Sequence, residues 1–174
     1  SAGQTYQVTG VGYGFEGGIE LDGEPVASPP ASHLHRTLLA GVLNNDATLY
    51  QADGRTDARG DPTEIALLVA AAKAGIFKGE AEEDFPRIAE IPFEPHRQFS
   101  ATLHEWGDTD QTLFVKGAFE RVLAMCRHAE GPEGPGELDL ERVAAEGEHL
   151  GRQGLRVLAM AYTRVDSRAL PIDE

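Results

Sequence analysis

The chain has 174 residues, enough for one domain with a real core. Fifteen Lys and Arg against 29 Asp and Glu leave a formal charge of −14, a surface that repels phosphate backbones and anionic lipid while still allowing one small anion held by placed cations. A lone cysteine, Cys126, excludes an internal disulfide, and neither a signal peptide nor an apolar run of membrane-spanning length is visible.

Residues 5–27 are glycine-rich with short β-type runs, "TYQVTGVGY" and "GIELDGEPV", and read as a hairpin or irregular strand pair. "SPPAS" (28–32) is a stop, with Ser32 as the expected N-cap of a helix whose Leu34, Leu38, Leu39, Val42 and Leu43 share one face. That helix ends near Asn44-Asn45, and "ATLYQ" (47–51) is a short strand. "ADGRTDARG" (52–60) reads as a polar, mobile segment. "DPTEIALLVAAAKAG" has the clearest helix grammar: Asp61 caps, Pro62 opens, Glu64 completes a capping-box-like pattern and Gly75 stops the helix.

"RIAEIPF" (87–93) is extended, and Pro92 marks it as an edge strand or bulge. From Phe99 the pattern alternates, with Phe99, Ala101 and Leu103 on one face and Ser100, Thr102 and His104 on the other, as in a half-buried strand. "WGDTDQ" turns, and "TLFVK" returns as its partner. Residues 118–127 read as a helix with Ala118, Val122, Met125, Phe119, Leu123 and Cys126 inward. "GPEGPGE" (131–137) is a loop and 139–152 a helix. "GLRVLAMAY" (154–162), apolar on both faces, reads as a central strand. Ser1-Ala2 reads as a remnant of cloning, and the ends at "YQVTG" and "LPIDE" as cuts around a domain.

"GYGFEG" (12–17) matches G-x-G-x-x-G, but a dinucleotide fingerprint needs a helix to open inside it, and a strand-like run follows instead. No phosphate-binding G-x-x-x-x-G-K-[ST] loop occurs. His33 and His35, two apart on a helix, cannot share a face, and His96 and His104 are isolated. No nucleophile pattern supports hydrolysis. What remains is a cation, Lys116, at the seam between an apolar strand ending at Val115 and a helix, with Gly117 allowing the chain to turn closely.

Four segments in order, "GDPTEIAL" (60–67), "IPFEPHRQFS" (91–100), "FVKGAFE" (114–120) and "QGLRVLAMA" (153–161), resemble the nucleotide-binding domain of cation-transporting P-type ATPases. "VTGVGY" (8–13) and "LNNDATL" (43–49) resemble flanking pieces, so the resemblance covers nearly the whole chain. It is nearest the P2 group (calcium, sodium/potassium or magnesium type), because the histidine-containing motif of heavy-metal pumps is absent. Pattern and resemblance together give an α+β fold, a largely antiparallel twisted sheet with helices on both sides, in a single domain spanning 1–174.

The resemblance implies an ATP-binding module excised from a larger membrane pump. ATP arrives with Mg²⁺, and its γ-phosphate is delivered to an aspartate in a D-K-T-G-T motif that this chain lacks. The implied partners are the phosphorylation, actuator and transmembrane domains of the same pump. The isolated module, a cytoplasmic part of an integral membrane protein, is expected to be monomeric, to bind ATP and not to turn it over. It implies roles residue by residue. Phe93 stacks on adenine, Glu64 accepts from the exocyclic amine, and Lys116 lines the adenosine pocket. Gly117 and Ala118 form a small close-approach wall, Arg156 reaches the phosphates, and Leu158 packs beside the base.

Two departures stand out. Where the P2 pattern carries basic residues two and five positions after the phenylalanine, this chain has Pro95 and Gln98, with Arg97 displaced. K-G-A-P-E reads K-G-A-F-E, so Phe119 is expected to extend the helix by a residue or change its entry. Weak binding with little difference between ATP and ADP follows. The rivals are an acidic, non-enzymatic protein-interaction module and a stand-alone hydrolase using Glu64 or His96 as base.

Overall fold

Every strand ladder among the described residues is antiparallel, as the alternation and the short turns of the sequence require. The computed structural model describes residues 3–27, 32–52, 55–107, 109–131 and 133–166. Ser1-Ala2, the "SPPA" part of the stop and the closing "LPIDE" lie outside the described residues. Helices and antiparallel sheets together make an α+β fold. The chain divides into two compact units, one ending at Asp84 and one beginning at Phe85.

In the first unit, β1 (Tyr6–Val8), β2 (Ile19–Leu21) and β3 (Glu24–Pro25) form a three-stranded meander. Asp22 and Gly23, at φ 54° and 83°, make the two-residue turn that joins β2 to β3. "GYGFEG" lies in the loop between β1 and β2, whose neck is tied by the Thr9 N–H to Gly18 O at 2.9 Å. A strand follows this loop, which excludes the dinucleotide reading.

The cap grammar holds. Ser32 Oγ accepts the His35 N–H at the start of α1 (His33–Leu43), and Val42 and Leu43 of that helix are fully buried. The hairpin of β4 (Thr48–Ala52) and β5 (Arg55–Arg59) follows, so the segment expected to be polar and mobile is largely a paired strand. Its sequence, "RTDAR", has no apolar alternation to betray it. α2 (Pro62–Lys73) opens on Asp61 Oδ1 accepting the Thr63 N–H at 2.8 Å. It closes in a Schellman motif: Gly75, at φ 77°, donates to Ala72 O and Ile76 to Ala71 O. α2 buries Ile65, Leu68 and Val69, each worth about 1.5–3 kcal/mol, and packs on α1. A further short helix, α3 (Lys78–Asp84), buries Ala81 alone and carries no apolar period to read.

The second unit runs β6 (Arg87–Ile91), β7 (Phe99–Trp106), β8 (Asp110–Ala118), α4 (Phe119–Leu123), β9 (His128–Gly131), β10 (Gly134–Glu137), α5 (Leu140–Arg152) and β11 (Leu158–Asp166). The main sheet has the order β11-β8-β7-β6. β6 is an edge strand with a register shift between Arg87 and Ala89, as Pro92 suggested. β11 is the other edge, not a central strand: its apolar character serves α4, which packs on both β11 and β8. β7 is buried on both faces, with Ser100, Thr102 and His104 as enclosed as Ala101 and Leu103. His104 Nδ1 meets Phe85 O at 2.9 Å, and Phe114 lies between His104 and Tyr162 in a row of rings across that face.

α4 is shorter than the helix expected over 118–127. Its end tightens through i to i−3 bonds, Met125 N–H to Val122 O and Cys126 N–H to Leu123 O, and Met125 is exposed rather than inward. The expected loop at 131–137 contributes to the β9–β10 hairpin.

Candidate functional site

The strand expected to end at Val115 runs on through Ala118. Lys116 is therefore a mid-ladder residue, directly across from Ser100 on β7 and Met160 on β11. It is only 7 % exposed, a rare position for a lysine. Gly117 does not act through a turn. A Cβ there would lie 2.4 Å from Gln98 O and 2.7 Å from Phe99 Cα, so the close approach of β8 to the start of β7 demands glycine. Ala118 closes β8, donates its N–H to Gln98 O at 2.8 Å and is paired with Leu158, the first residue of β11.

Phe119 takes the first helical position of α4, where a proline would also fit.

Phe93 lies two residues beyond the end of β6, in the 92–98 connection to β7, and is 59 % exposed. It is not a core phenylalanine. The connection is a tight turn in which the N–H groups of Arg97 and Gln98 both donate to Glu94 O, and Gln98 holds a left-handed φ of 63°. The Glu94 carboxylate faces His96 Nε2 at 3.3 Å and Arg97 Nε at 3.7 Å, so the displaced basic residue sits beside an acidic neighbour.

Arg156 is exposed and precedes β11 rather than lying within it. The register nonetheless gathers six expected residues at one end of the sheet. Ile91 is opposite Ala101, Phe99 opposite Gly117, and Ala118 opposite Leu158. The exit of β6 (Phe93), the close of β8 (Lys116, Gly117, Ala118) and the entry of β11 (Arg156, Leu158) share that end. An exposed aromatic side chain, a buried lysine and an exposed arginine are groups able to take a base and an anion.

Glu64 belongs to the first unit, in the opening turn of α2. Its carboxylate accepts the Asp46 N–H at 3.3 Å, and its carbonyl accepts from Asn45 Nδ2 at 3.0 Å. Sequence reasoning assigned no role to Asn45 and Asp46; the signal was the adjacent Asn-Asn-Asp immediately after a helix. An open cleft of about 290 Å³ in the same unit is lined by Phe15, Tyr50, Leu68, Phe77 and Lys78 among others, and by none of the seven expected residues. Among the described residues no group of three His, Cys, Asp or Glu could hold a metal ion, and no helix is long and apolar enough to cross a membrane.

Comparison with known proteins assigns this mixed α+β chain to a family. Residues 33–172 match the family model described as "P-type ATPase, cytoplasmic domain N". The chain is 41 % identical over 155 residues to the probable cation-transporting ATPase F of Mycobacterium tuberculosis, covering 88 % of this chain and 17 % of that protein. It is 37 % identical over 181 residues to the cation-transporting ATPase pma1 of Synechocystis (99 % and 20 %), and 33 % identical over 175 residues to a calcium-transporting ATPase of Bacillus subtilis (98 % and 20 %). The chain belongs to the P-type cation-transporting ATPase family, as its cytoplasmic N domain. It spans no more than 20 % of the length of these relatives.

Proposed function

We propose that this domain binds ATP by its adenosine and delivers the γ-phosphate to an aspartate on a separate phosphorylation domain, driving cation transport by the whole pump. The observation that carries the reading is the gathering of exposed Phe93, buried Lys116 and exposed Arg156 at one end of the four-stranded sheet. Phe93 offers its ring to adenine, a stack worth about 1–3 kcal/mol. Lys116 holds the adenosine side, and Gly117 and Ala118 keep the wall small. Leu158 packs beside the base, Arg156 points its charge toward the phosphates, and Glu64 accepts from the exocyclic amine.

The domain contributes position rather than chemistry. Holding the nucleotide at one orientation turns phosphoryl transfer into an effectively intramolecular step once the domains meet. Mg²⁺ rides in on the phosphates as part of the substrate, and no residue here is assigned to it. The phosphorylation, actuator and transmembrane domains of the same polypeptide are the partners, with this domain on the cytoplasmic side of the cell membrane. The isolated chain is monomeric and does not turn ATP over.

Titration of the chain with ATP, followed by amide NMR and by calorimetry, tests this. Shifts confined to residues 91–99, 116–118 and 156–158, with no phosphate released, support it. An absence of any ATP-induced shift returns the acidic interaction module to first place, and release of phosphate favours the stand-alone hydrolase.

A further inference from the structure

We infer that Asn45 is a positioning residue that fixes the Glu64 carboxylate and thereby sets which purine the site accepts. This rests on the assignment of Glu64 to the adenine edge. Asn45 is 1 % exposed, and its side-chain amide is used in three directions. Nδ2 donates to Gly41 O at 2.9 Å, in the last turn of α1, and to Glu64 O at 3.0 Å, in the first turn of α2. Oδ1 accepts the Ala47 N–H at 2.9 Å.

One buried amide therefore joins the end of one helix to the beginning of another and holds the short segment between α1 and β4 in a single shape. That shape aims the Asp46 N–H at Glu64 Oε2. The same segment is clamped from below by Lys78, whose Nζ donates to Asn45 O at 2.7 Å and to Ala47 O at 2.9 Å. Glu64 is thus held at its carbonyl by Asn45 and at its carboxylate by the residue after Asn45. A glutamate with one oxygen held by a backbone N–H presents its remaining lone pairs in a fixed direction.

The consequence concerns the base. Adenine carries an amine donor at the position where guanine carries a carbonyl acceptor. A fixed carboxylate accepts from the first and repels the second. A carboxylate free to rotate away discriminates less.

The test compares ATP with GTP on the 174-residue chain, by calorimetry or NMR titration, in three variants. Glu64→Ala reports on the underlying assignment and is expected to shrink the ATP-over-GTP preference about tenfold, the worth of a hydrogen bond to a charged group. Asn45→Asp keeps the size and the acceptor for Ala47 but turns two donors into acceptors facing carbonyls. It is expected to shrink the preference by about threefold or more, a part of that tenfold loss. Lys78→Met loosens the same segment at its backbone carbonyls without altering the Asn45 side chain and is expected to act in the same direction, which keeps the test open if Asn45→Asp does not fold.

If Glu64→Ala lowers the preference while Asn45→Asp and Lys78→Met only lower the melting temperature, Asn45 is a fold residue and the inference is overturned. If Glu64→Ala leaves the preference intact, the assignment of Glu64 itself fails and this inference with it. Affinity for both nucleotides falling equally in Asn45→Asp also overturns it.

Discussion

A Cβ on Gly147 would lie 2.4 Å from Cε1 of the Phe119 ring. Phe119 stands at the first position of α4, and Gly147 is the buried residue of α5. The ring occupies the space that a side chain on α5 would need. Gly147→Ala is expected to cost about 1–3 kcal/mol in urea unfolding, as overpacking does. Phe119→Ala in the same chain should recover most of that loss. If the double variant is as unstable as the sum of the singles, the ring and the glycine are not coupled.

Phe93 and Lys116 separate binding from folding. Phe93 is exposed, so Phe93→Ala should move stability by no more than about 0.5 kcal/mol while removing the ATP-induced amide shifts. Lys116→Met keeps the stem within the sheet and should also remove those shifts. A cooperative unfolding transition retained in both variants, alongside lost shifts, is the outcome expected; retained shifts would remove these residues from the site.

In the proposed site the phosphate side is electrostatically thin. Pro95 and Gln98 stand where basic residues are expected, and Arg97 sits beside the Glu94 carboxylate. ATP and ADP should therefore bind with closely similar affinity in calorimetry. Gln98→Lys adds a cation to the turn and should favour ATP over ADP, with a preference that fades as salt is raised. ATP held far more tightly than ADP by the unaltered chain would contradict this account.

Burial pushes the Cys126 thiol above its ordinary range, and its Sγ donates to Val122 O at 3.3 Å. The thiolate is thus scarcer at neutral pH than in an open peptide. Alkylation by iodoacetamide should be slow at pH 7 and accelerate only above the ordinary thiol range. The linkage has a definite sign: above that range the unfolded chain loses its proton first, so this group's contribution to stability falls as pH rises. Alkylation at pH 7 as fast as that of a free cysteine would contradict the burial.

Parts of this architecture are legible because local chemistry decides them. Asp61, Pro62 and Gly75 mark both ends of α2 through hydrogen bonds within a few residues of the chain. Ser32 does the same for α1. Other parts are decided at a distance. Ser100, Thr102 and His104 read as a solvent face, yet they are enclosed by what packs above β7, and no pattern in β7 itself carries that information. The strand "RTDAR" and the helix "KGEAEED" have almost no apolar side chains, so periodicity is silent there. Within the candidate site, Phe93 is singled out by the motif, and Lys116 already by its place between two apolar runs. The reason for Gly117 was not, because the clash it avoids involves Gln98 and Phe99, residues far back along the chain.

The sheet is assembled from pieces of unequal reach. β6, β7 and β8 are neighbours in sequence, but β11 meets β8 only after α4, the β9–β10 hairpin and α5 have intervened. Closing that long excursion costs more loop entropy than joining β6, β7 and β8, and the strand it delivers is an edge. β11 is thus the natural place for the sheet to begin to open, and its amides should exchange with deuterium sooner than those of β7. Because Leu158 opens β11 and Arg156 lies two residues before it, the contacts proposed for these two residues depend on an edge strand that a long excursion of the chain must deliver.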